Sequence, residues 1–391
     1  MWLKAFLLDR SQSVVVENCF SKPEKVISGV PQGTVLGPLL FLIMANNLSA
    51  NCVSTITSCF ADDTRVLARI ENEKDVENTQ TDLDSISRWA SENNMEFNEQ
   101  KFEVLRYGKI DTLISNTSYQ TASGVKIEAK KNVKDLGVWM QNDASFDEQI
   151  ARAESSGRRW CSWVLRTFET RQRDIMLTLW KQLILPRIEY CSPLWAPYKR
   201  KDLEKIEGIQ RTFTSKIAGL TNLRYHDRLK ELNMYSMQRR FERFIIICVW
   251  KIIEEKTVNV NNQIRTTFNS RSGRKCVVPL PKLNGGLAMQ TKLYNSFAVR
   301  GPRLFNRMPP EIRNISNSST LRFKRMLDKY LQRIPDTPVI TGYPHTGDNS
   351  LIELLGDIIS RPLHSDESSA SQDDSLEISP AGRQEALPAN P

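Results

Sequence analysis

The sequence predicts an α+β fold for residues 1–140, then a mostly α-helical region and an irregular tail. Two observations lead to this prediction. Residues 1–140 alternate helix-like and strand-like runs, which fits helices packed on an antiparallel sheet. From about Phe146 to Glu255 nearly every run has helical periodicity, and the pattern is interrupted at prolines.

The elements follow in chain order. An apolar run after Gly33 predicts a buried helix to about Leu48, and two β-prone runs within 53–70 predict a hairpin. Helical spacing continues from Lys74 to about Asn93, and short strands are expected around 104–106 and 136–139. Residues 256–285 are predicted to be a basic loop, a helix is expected over 319–332, and the tail after Asp336 is predicted to be disordered.

The tetrapeptide Phe60-Ala61-Asp62-Asp63 lies between the two runs of the predicted hairpin. Two adjacent carboxylates repel each other, so a hairpin tip carries them at low cost when a cation is bound there. Such a tip suits phosphoryl transfer with two Mg²⁺ ions. The alternative is an ordinary polar turn, because Asp-Asp is common in loops.

A glycine-rich loop, Ser28-Gly29-Val30-Pro31-Gln32-Gly33, precedes the apolar run. Glycine lets a backbone approach a flat ligand closely. This loop with the apolar run after it, followed by Phe-Ala-Asp-Asp, resembles the two central palm motifs of reverse transcriptases from non-LTR retrotransposons of the jockey-like group. Weaker similarity continues to about residue 345, through these segments: 86–98 with Lys101 and 104–108, 133–138, 185–195, Arg239-Arg240 and 300–310.

The resemblance implies an RNA-directed DNA polymerase that extends a primer 3′ hydroxyl by two-metal nucleotidyl transfer. It implies Mg²⁺, or Mn²⁺ in its place, as the cofactor, and RNA template, DNA primer and deoxynucleotides as partners. Asp62 and Asp63 would be catalytic and metal-binding, and Lys101 would protonate the pyrophosphate leaving group. Residues near the nucleotide or template would be Phe60, Ala61, Gln32 and Gly33. The alternatives are core packing for Phe60, a plain turn for the loop and a solvated strand residue for Lys101.

The same resemblance implies a further catalytic aspartate on a palm strand well upstream of the loop. We expect the chain to be truncated within the palm and to lack that strand and the fingers. The competing hypothesis is therefore a catalytically inactive remnant that acts at most as a nucleic-acid-binding module. Whether the chain is an enzyme stays open at this point.

The predicted organisation has four parts: a partial right-hand palm at 1–140, a thumb-like helical region at 141–255, a basic region with a helix at 256–338, and an acidic disordered tail at 339–391. Seven scattered cysteines without a Cys-x-x-Cys pair indicate free thiols. No segment is long enough for a membrane span, so we expect no membrane partner and an intracellular protein of the nucleus or cytoplasm. The oligomeric state stays open.

Charge is distributed unevenly along the chain. The formal net charge is +9, but the last 51 residues carry −7 and the first 340 carry +16. Basic residues cluster at these positions: Arg152, Arg158, Arg159, Arg166, Arg171, Arg173, Arg239, Arg240, Arg243, Arg265, Arg271, Arg274 and Lys275. Such clusters favour nucleic-acid binding through counterion release, and solvated helix faces are the alternative. The interleaved aromatics Trp160, Trp163 and Phe168 would stack on bases or form core.

Overall fold

The computed structural model describes residues 2–108, 117–259, 264–279, 286–340 and 349–356. These residues fall into two compact units. The first comprises the described residues up to 137 together with 141–143, and the second comprises 138–140 and the described residues from 144 onward. Each unit mixes helices with small sheets, so the coarse α+β expectation agrees with the fold.

The first unit is built from short elements. They are α1 (Trp2–Leu7), β1 (Ser11–Gln12), β2 (Val15–Val16), β3 (Cys19–Phe20), β4 (Glu24–Lys25), α2 (Leu36–Ala45), β5 (Ile56–Phe60), β6 (Asp63–Leu67), α3 (Glu73–Glu92), a 3₁₀ turn (Glu99–Lys101), β7 (Val104–Leu105), β8 (Ala129–Lys130) and β9 (Asn132–Asp135). Strands pair only two by two: β1 with β4, β2 with β3 and β5 with β6 are antiparallel, and β7 with β8 is parallel. The antiparallel sheet that the sequence predicts is therefore divided, in the described part of this unit, into separate two-stranded pairs.

Helix α3 organises the core of the first unit. Asn72 and Asp75 form a capping box at its start, in which each side chain accepts a hydrogen bond from the other residue's backbone N–H. The buried side of α3, including Leu83, Ile86 and Trp89, packs in one apolar cluster with Val66 of β6. This packing holds the β5–β6 hairpin through its second strand.

Helix α2 corrects the prediction of a buried helix. Only Gly37 and Ala45 are buried in it, whereas Leu42 and Ile43 are 52% and 62% exposed. Its uniformly apolar sequence has no polar face that would orient it, and the described residues of the first unit leave it largely uncovered.

The second unit is mostly helical. Its elements are β10 (Val138–Gln141), α4 (Asp147–Thr167), α5 (Arg173–Leu179), a π-helical turn (Trp180–Ile184), α6 (Leu185–Glu189), α7 (Ser192–Trp195), α8 (Arg200–Thr214), α9 (Tyr225–Glu231), α10 (Met237–Ile253), β11 (Thr266–Asn269), β12 (Gly273–Cys276), α11 (Leu287–Tyr294), α12 (Phe297–Arg307), α13 (Pro310–Arg313), α14 (Thr320–Leu331) and α15 (Leu351–Leu354). The expected loop at 256–285 contains the antiparallel β11–β12 hairpin, so that prediction is wrong. Arg274 holds the hairpin in place by pairing with Glu254 and donating to the Ile315 carbonyl.

Helix α10 lies at the centre of this unit and is buried on most sides. Trp250 stacks on Phe323 of α14, with ring centroids 4.3 Å apart. Fully buried side chains such as Trp180 and Phe213 extend the same core through the other helices. The described part of the second unit therefore has a large, close-packed interior.

The beginning of the predicted tail is also folded. Asp336 accepts hydrogen bonds from the Ser236 backbone and hydroxyl at 2.8 and 2.6 Å, and from Asn349 at 2.8 Å. Buried Glu242 accepts from the Leu351 N–H, which ties α15 to α10. Disorder was thus the wrong prediction for 349–355, because buried polar contacts fix these residues. Residues 341–348 and 357–391 of the predicted tail lie outside the described residues.

Candidate active site

The predicted hairpin with acids at its tip is confirmed. Strands β5 and β6 pair in register from Ile56↔Leu67 to Phe60↔Asp63, which leaves Ala61 and Asp62 as a two-residue turn. Ala61 has a φ of +53°, a conformation that favours glycine and costs an alanine about 1–2 kcal/mol. Asp62 and Asp63 are both exposed, so the paired carboxylates face solvent at the end of a short, fixed ribbon.

The alternation of β6 sets the direction of Asp63. Thr64 and Val66 are buried, and because side chains alternate across a strand, Asp63 and Arg65 lie on the opposite face. Arg65 forms an ion pair with Asp135. Burial raises the pKa of Tyr107 to about 12, and the nearby Asp135 carboxylate adds to that shift. The ion pair of Arg65 with Asp135 therefore fixes the face of the hairpin that bears Asp63.

Asp82 on α3 anchors the entry to the hairpin, and sequence reasoning missed it. Its carboxylate accepts backbone hydrogen bonds from Val53, Ser54 and Thr55 at 3.1, 2.9 and 2.8 Å. Asp82 is only 3% exposed. The sequence signal for this role was an aspartate on the apolar side of an amphipathic helix. A carboxylate that is buried there needs hydrogen-bond donors as partners.

The glycine-rich loop is held at both ends. Arg10 donates to the Gly29 carbonyl at 2.5 Å, and the Thr34 hydroxyl bridges the Pro31 carbonyl and the Gly37 N–H at 2.8 and 3.1 Å. A Cβ at Gly37 would lie 2.6 Å from the Pro31 carbonyl oxygen, so this close approach requires glycine. Gln32 and Gly33 are exposed at the turn. Apart from the chain neighbours, no atom lies within 4 Å of a Cβ built at Gly33.

Lys101 ends the 3₁₀ turn and is exposed, not in the strand that the alternative expected. Glu99 in the same turn accepts hydrogen bonds from Thr121 at 2.7 Å and from Ser123. The bonds from Ser123 and then Thr121 lower the pKa of the Glu99 carboxyl. The turn that carries Lys101 is therefore fixed, although no contact among the described residues joins Lys101 to Asp62 or Asp63.

Phe60 is 68% exposed, which excludes core packing for this residue. The described residues thus bring Phe60, Ala61, Asp62 and Asp63 together and leave the loop and Lys101 as separate features. Carboxylate oxygens suit Mg²⁺. However, no group of three or more His, Cys, Asp or Glu side chains gathers anywhere in the described ranges. The carboxylates of Asp62 and Asp63 therefore suit a magnesium ion as two of its ligands, and a complete site needs further ligands.

Several predicted nucleic-acid-binding arginines are structural. Arg239 is fully buried and donates to the Pro335 carbonyl at 2.9 Å. Arg171 caps the end of α4 by donating to backbone carbonyls, one of them that of Leu165 at 2.8 Å. Ion pairs also hold three further arginines: Arg240 with Glu189, Arg243 with Asp328 and Arg274 with Glu254. A nucleic-acid role is wrong for fully buried Arg239, and the other four have intramolecular partners that fix the fold.

Residues 1–140 match the sequence profile of "Reverse transcriptase (RNA-dependent DNA polymerase)". The chain is 26% identical over 253 residues to the probable RNA-directed DNA polymerase from transposon X-element of Drosophila melanogaster, which covers 60% of this chain and 27% of that protein. It is 26% identical over 230 residues to the RNA-directed DNA polymerase from mobile element jockey of Drosophila funebris, covering 56% and 25%. The jockey polymerase of Drosophila melanogaster is 23% identical over 228 residues, covering 56% and 25%.

The chain spans about a quarter of the length of these curated relatives. No solved structure matches it significantly. Among the described residues, none of the helices combines the length and the hydrophobicity that a membrane span requires. All seven cysteines lie in the described ranges and carry free thiols.

Proposed function

We propose, for a chain whose residues 1–140 belong to the reverse transcriptase family, that it provides the acid-bearing part of an RNA-directed DNA polymerase of a non-LTR retrotransposon. The observation that carries this proposal is the two-residue turn between β5 and β6, which presents Asp62 and Asp63 to solvent on a fixed ribbon. The substrates would be an RNA template, a DNA primer and deoxynucleotides.

Asp62 would hold the divalent ion, and Asp63 would support it. Bound there, Mg²⁺ would supply stabilisation of the charge that develops on the phosphate oxygens. Because the described residues gather no third carboxylate, we propose that at least one more carboxylate completes the site. Phe60 and Ala61 lie next to the acids and would contact the incoming nucleotide.

Two further segments have separate roles in this proposal. The exposed turn at Gln32 and Gly33 would lie against the templating base or the nucleotide, since nothing stands within 4 Å of a Cβ at Gly33. The Lys101 ammonium would donate its proton to the departing pyrophosphate as the new phosphodiester bond forms. The fixed 3₁₀ turn supports this role by limiting the positions that Lys101 can take.

A second candidate is favoured by one observation, the incomplete carboxylate set of the described residues. In that case the chain binds template and primer but performs no chemistry by itself. Nucleotidyl transfer with two ions needs ligands from more than one strand, and each 1.4 kcal/mol of lost transition-state stabilisation slows the reaction about tenfold.

Primer extension on an RNA template, with Mg²⁺ or Mn²⁺, tests the proposal. Asp62→Asn is compared with Asp84→Asn, which removes an exposed carboxylate from α3 whose partner is Gln80. If the first candidate holds, the native chain extends the primer, Asp62→Asn loses extension by several orders of magnitude, and Asp84→Asn changes little. Chelation by EDTA should also abolish extension.

The outcomes separate the two candidates. If the native chain does not extend the primer but binds template and primer, the second candidate holds. If Asp62→Asn extends as fast as the native chain, the proposed role of the hairpin is refuted.

A further inference from the structure

Helix α4 carries an exposed stripe of three residues along one side. Arg159, Trp163 and Arg166 are spaced at i, i+4 and i+7, which places them on one face of the helix. All three are exposed, Trp163 by 41%. The two arginines lie about 10 Å apart along the axis, with the indole between them.

The electrostatics of this stripe differ from those of the rest of α4. The arginines nearer the start of the helix pair with acids four residues earlier, Arg152 with Glu148 and Arg158 with Glu154. From Ser155 to Thr167 the helix contains three basic residues and no acid. Among the described residues, neither Arg159 nor Arg166 has an ion-pair partner.

The indole of Trp163 is held in place by its neighbours. It makes edge contacts with Trp160 and Phe168, at centroid separations of 5.2 and 6.0 Å. Arg187 of α6 extends the basic surface, because its guanidinium lies 3.7 Å from the centroid of the Trp160 ring. Since Trp163 is already ordered, a ligand that stacks on it would lose little conformational freedom of the protein.

We propose that Arg159, Trp163, Arg166 and Arg187 form a binding surface for single-stranded nucleic acid. The guanidinium groups would contact backbone phosphates, and an unpaired base would stack on the Trp163 ring. An exposed indole between cations favours a single strand over a duplex, because duplex bases are already stacked on one another. The proposal deepens the proposed polymerase function, but it concerns the second unit, whereas the hairpin acids belong to the first.

The exposed indole, and not the positive charge alone, distinguishes this stripe from other basic helices. Other exposed basic residues, such as Arg322 and Arg325 on α14, lie on a helix whose large exposed apolar side chains are Leu321 and Met326. That helix offers charge without an exposed indole. The two helices therefore provide a matched comparison within the same unit.

Fluorescence anisotropy with a short labelled single-stranded RNA, and with the corresponding duplex, tests the surface. The variants are Trp163→Ala, Trp163→Phe, Arg159→Ala/Arg166→Ala and the control Arg322→Ala/Arg325→Ala. We expect Trp163→Ala to weaken single-strand binding about tenfold and Trp163→Phe to recover part of the loss. The α4 double variant should reduce the slope of log affinity against log salt by about 1.4, and the α14 control by much less.

The outcomes distinguish this inference from the proposed function. If Trp163→Ala folds normally and binds the single strand as tightly as the native chain, the surface is refuted. Equal losses in the α4 and α14 double variants would also refute it, since they would show binding by net charge alone. If the native chain binds no nucleic acid, both proposals fail, whereas lost primer extension with intact Trp163-dependent binding removes only the polymerase proposal.

Discussion

Gly157 of α4 faces Ile188 of α6 and Ile209 of α8, and replacing it by alanine tests the packing of the second unit. A Cβ there would lie 2.8 Å from Ile209 Cδ1 on α8 and 2.9 and 3.0 Å from Ile188 Cγ1 and Cδ1 on α6. These separations are shorter than normal carbon contacts, so at least one isoleucine must move. Gly208 on α8 is the matched position, because its Cβ would meet only Arg158 Nη2, at 3.6 Å.

Two effects of opposite sign determine the result. Alanine in a helix interior is more favourable than glycine by about 0.8–1.0 kcal/mol. Overpacking a close-packed core costs typically about 1–3 kcal/mol. At Gly208 only the first effect applies, so Gly208→Ala should stabilise the unit by up to about 1 kcal/mol. At Gly157 the second dominates, so Gly157→Ala should destabilise it by roughly 0–2 kcal/mol.

Urea unfolding monitored by tryptophan fluorescence measures both variants, because six of the eight tryptophans belong to the second unit. Ile209→Val removes the Cδ1 atom in the closest contact, so it should cost less stability in the Gly157→Ala background than in the native chain. Equal stabilisation by Gly157→Ala and Gly208→Ala would refute the packing described for α4.

Two further changes probe buried carboxylates. Burial raises the pKa of Glu207 to about 8 from an ordinary 4.5, although Tyr225 and the Met237 N–H donate hydrogen bonds to it. The contribution of protonated Glu207 to the free energy of unfolding is therefore fully present below pH 4.5. It is lost as the pH rises toward 8. Glu207→Gln should flatten the change in urea midpoint between about pH 5 and 8, and an unaltered pH profile would contradict this. Asp82→Asn should cost about 1–3 kcal/mol and should increase amide hydrogen exchange at 53–55; unchanged exchange there would contradict the anchoring role.

The β5–β6 hairpin could be predicted because its signal is local. Two β-prone runs flank a short polar turn, and the register follows once the turn has two residues. Helix α14 was equally accessible from its spacing, and its N-cap Ser319 and C-cap Gln332 match the expected ends of 319–332. In both cases neighbouring residues in the sequence contain the determining information.

The contacts that position the site were not accessible in this way. Asp82 reaches 27 to 29 residues back to the start of β5, and Arg10 reaches 19 residues forward to Gly29. Neither partner is specified by a local pattern. The exposure of α2 was missed for a related reason, since an apolar sequence shows that a helix tends to be buried but does not show what covers it.

The basic residues show why net charge is a weak guide to a binding surface. Arg239 is buried at the centre of the second unit, and Arg243 pairs with Asp328 across two helices. Arg243 shows why arginine suits such a position, because its planar fork donates to both carboxylate oxygens of Asp328. On α4, Arg152 and Arg158 form ion pairs, whereas Arg159 and Arg166 are exposed and have no ion-pair partner among the described residues. Affinity for nucleic acid should therefore depend more on Arg159, Arg166 and Trp163 than on the net charge of the chain.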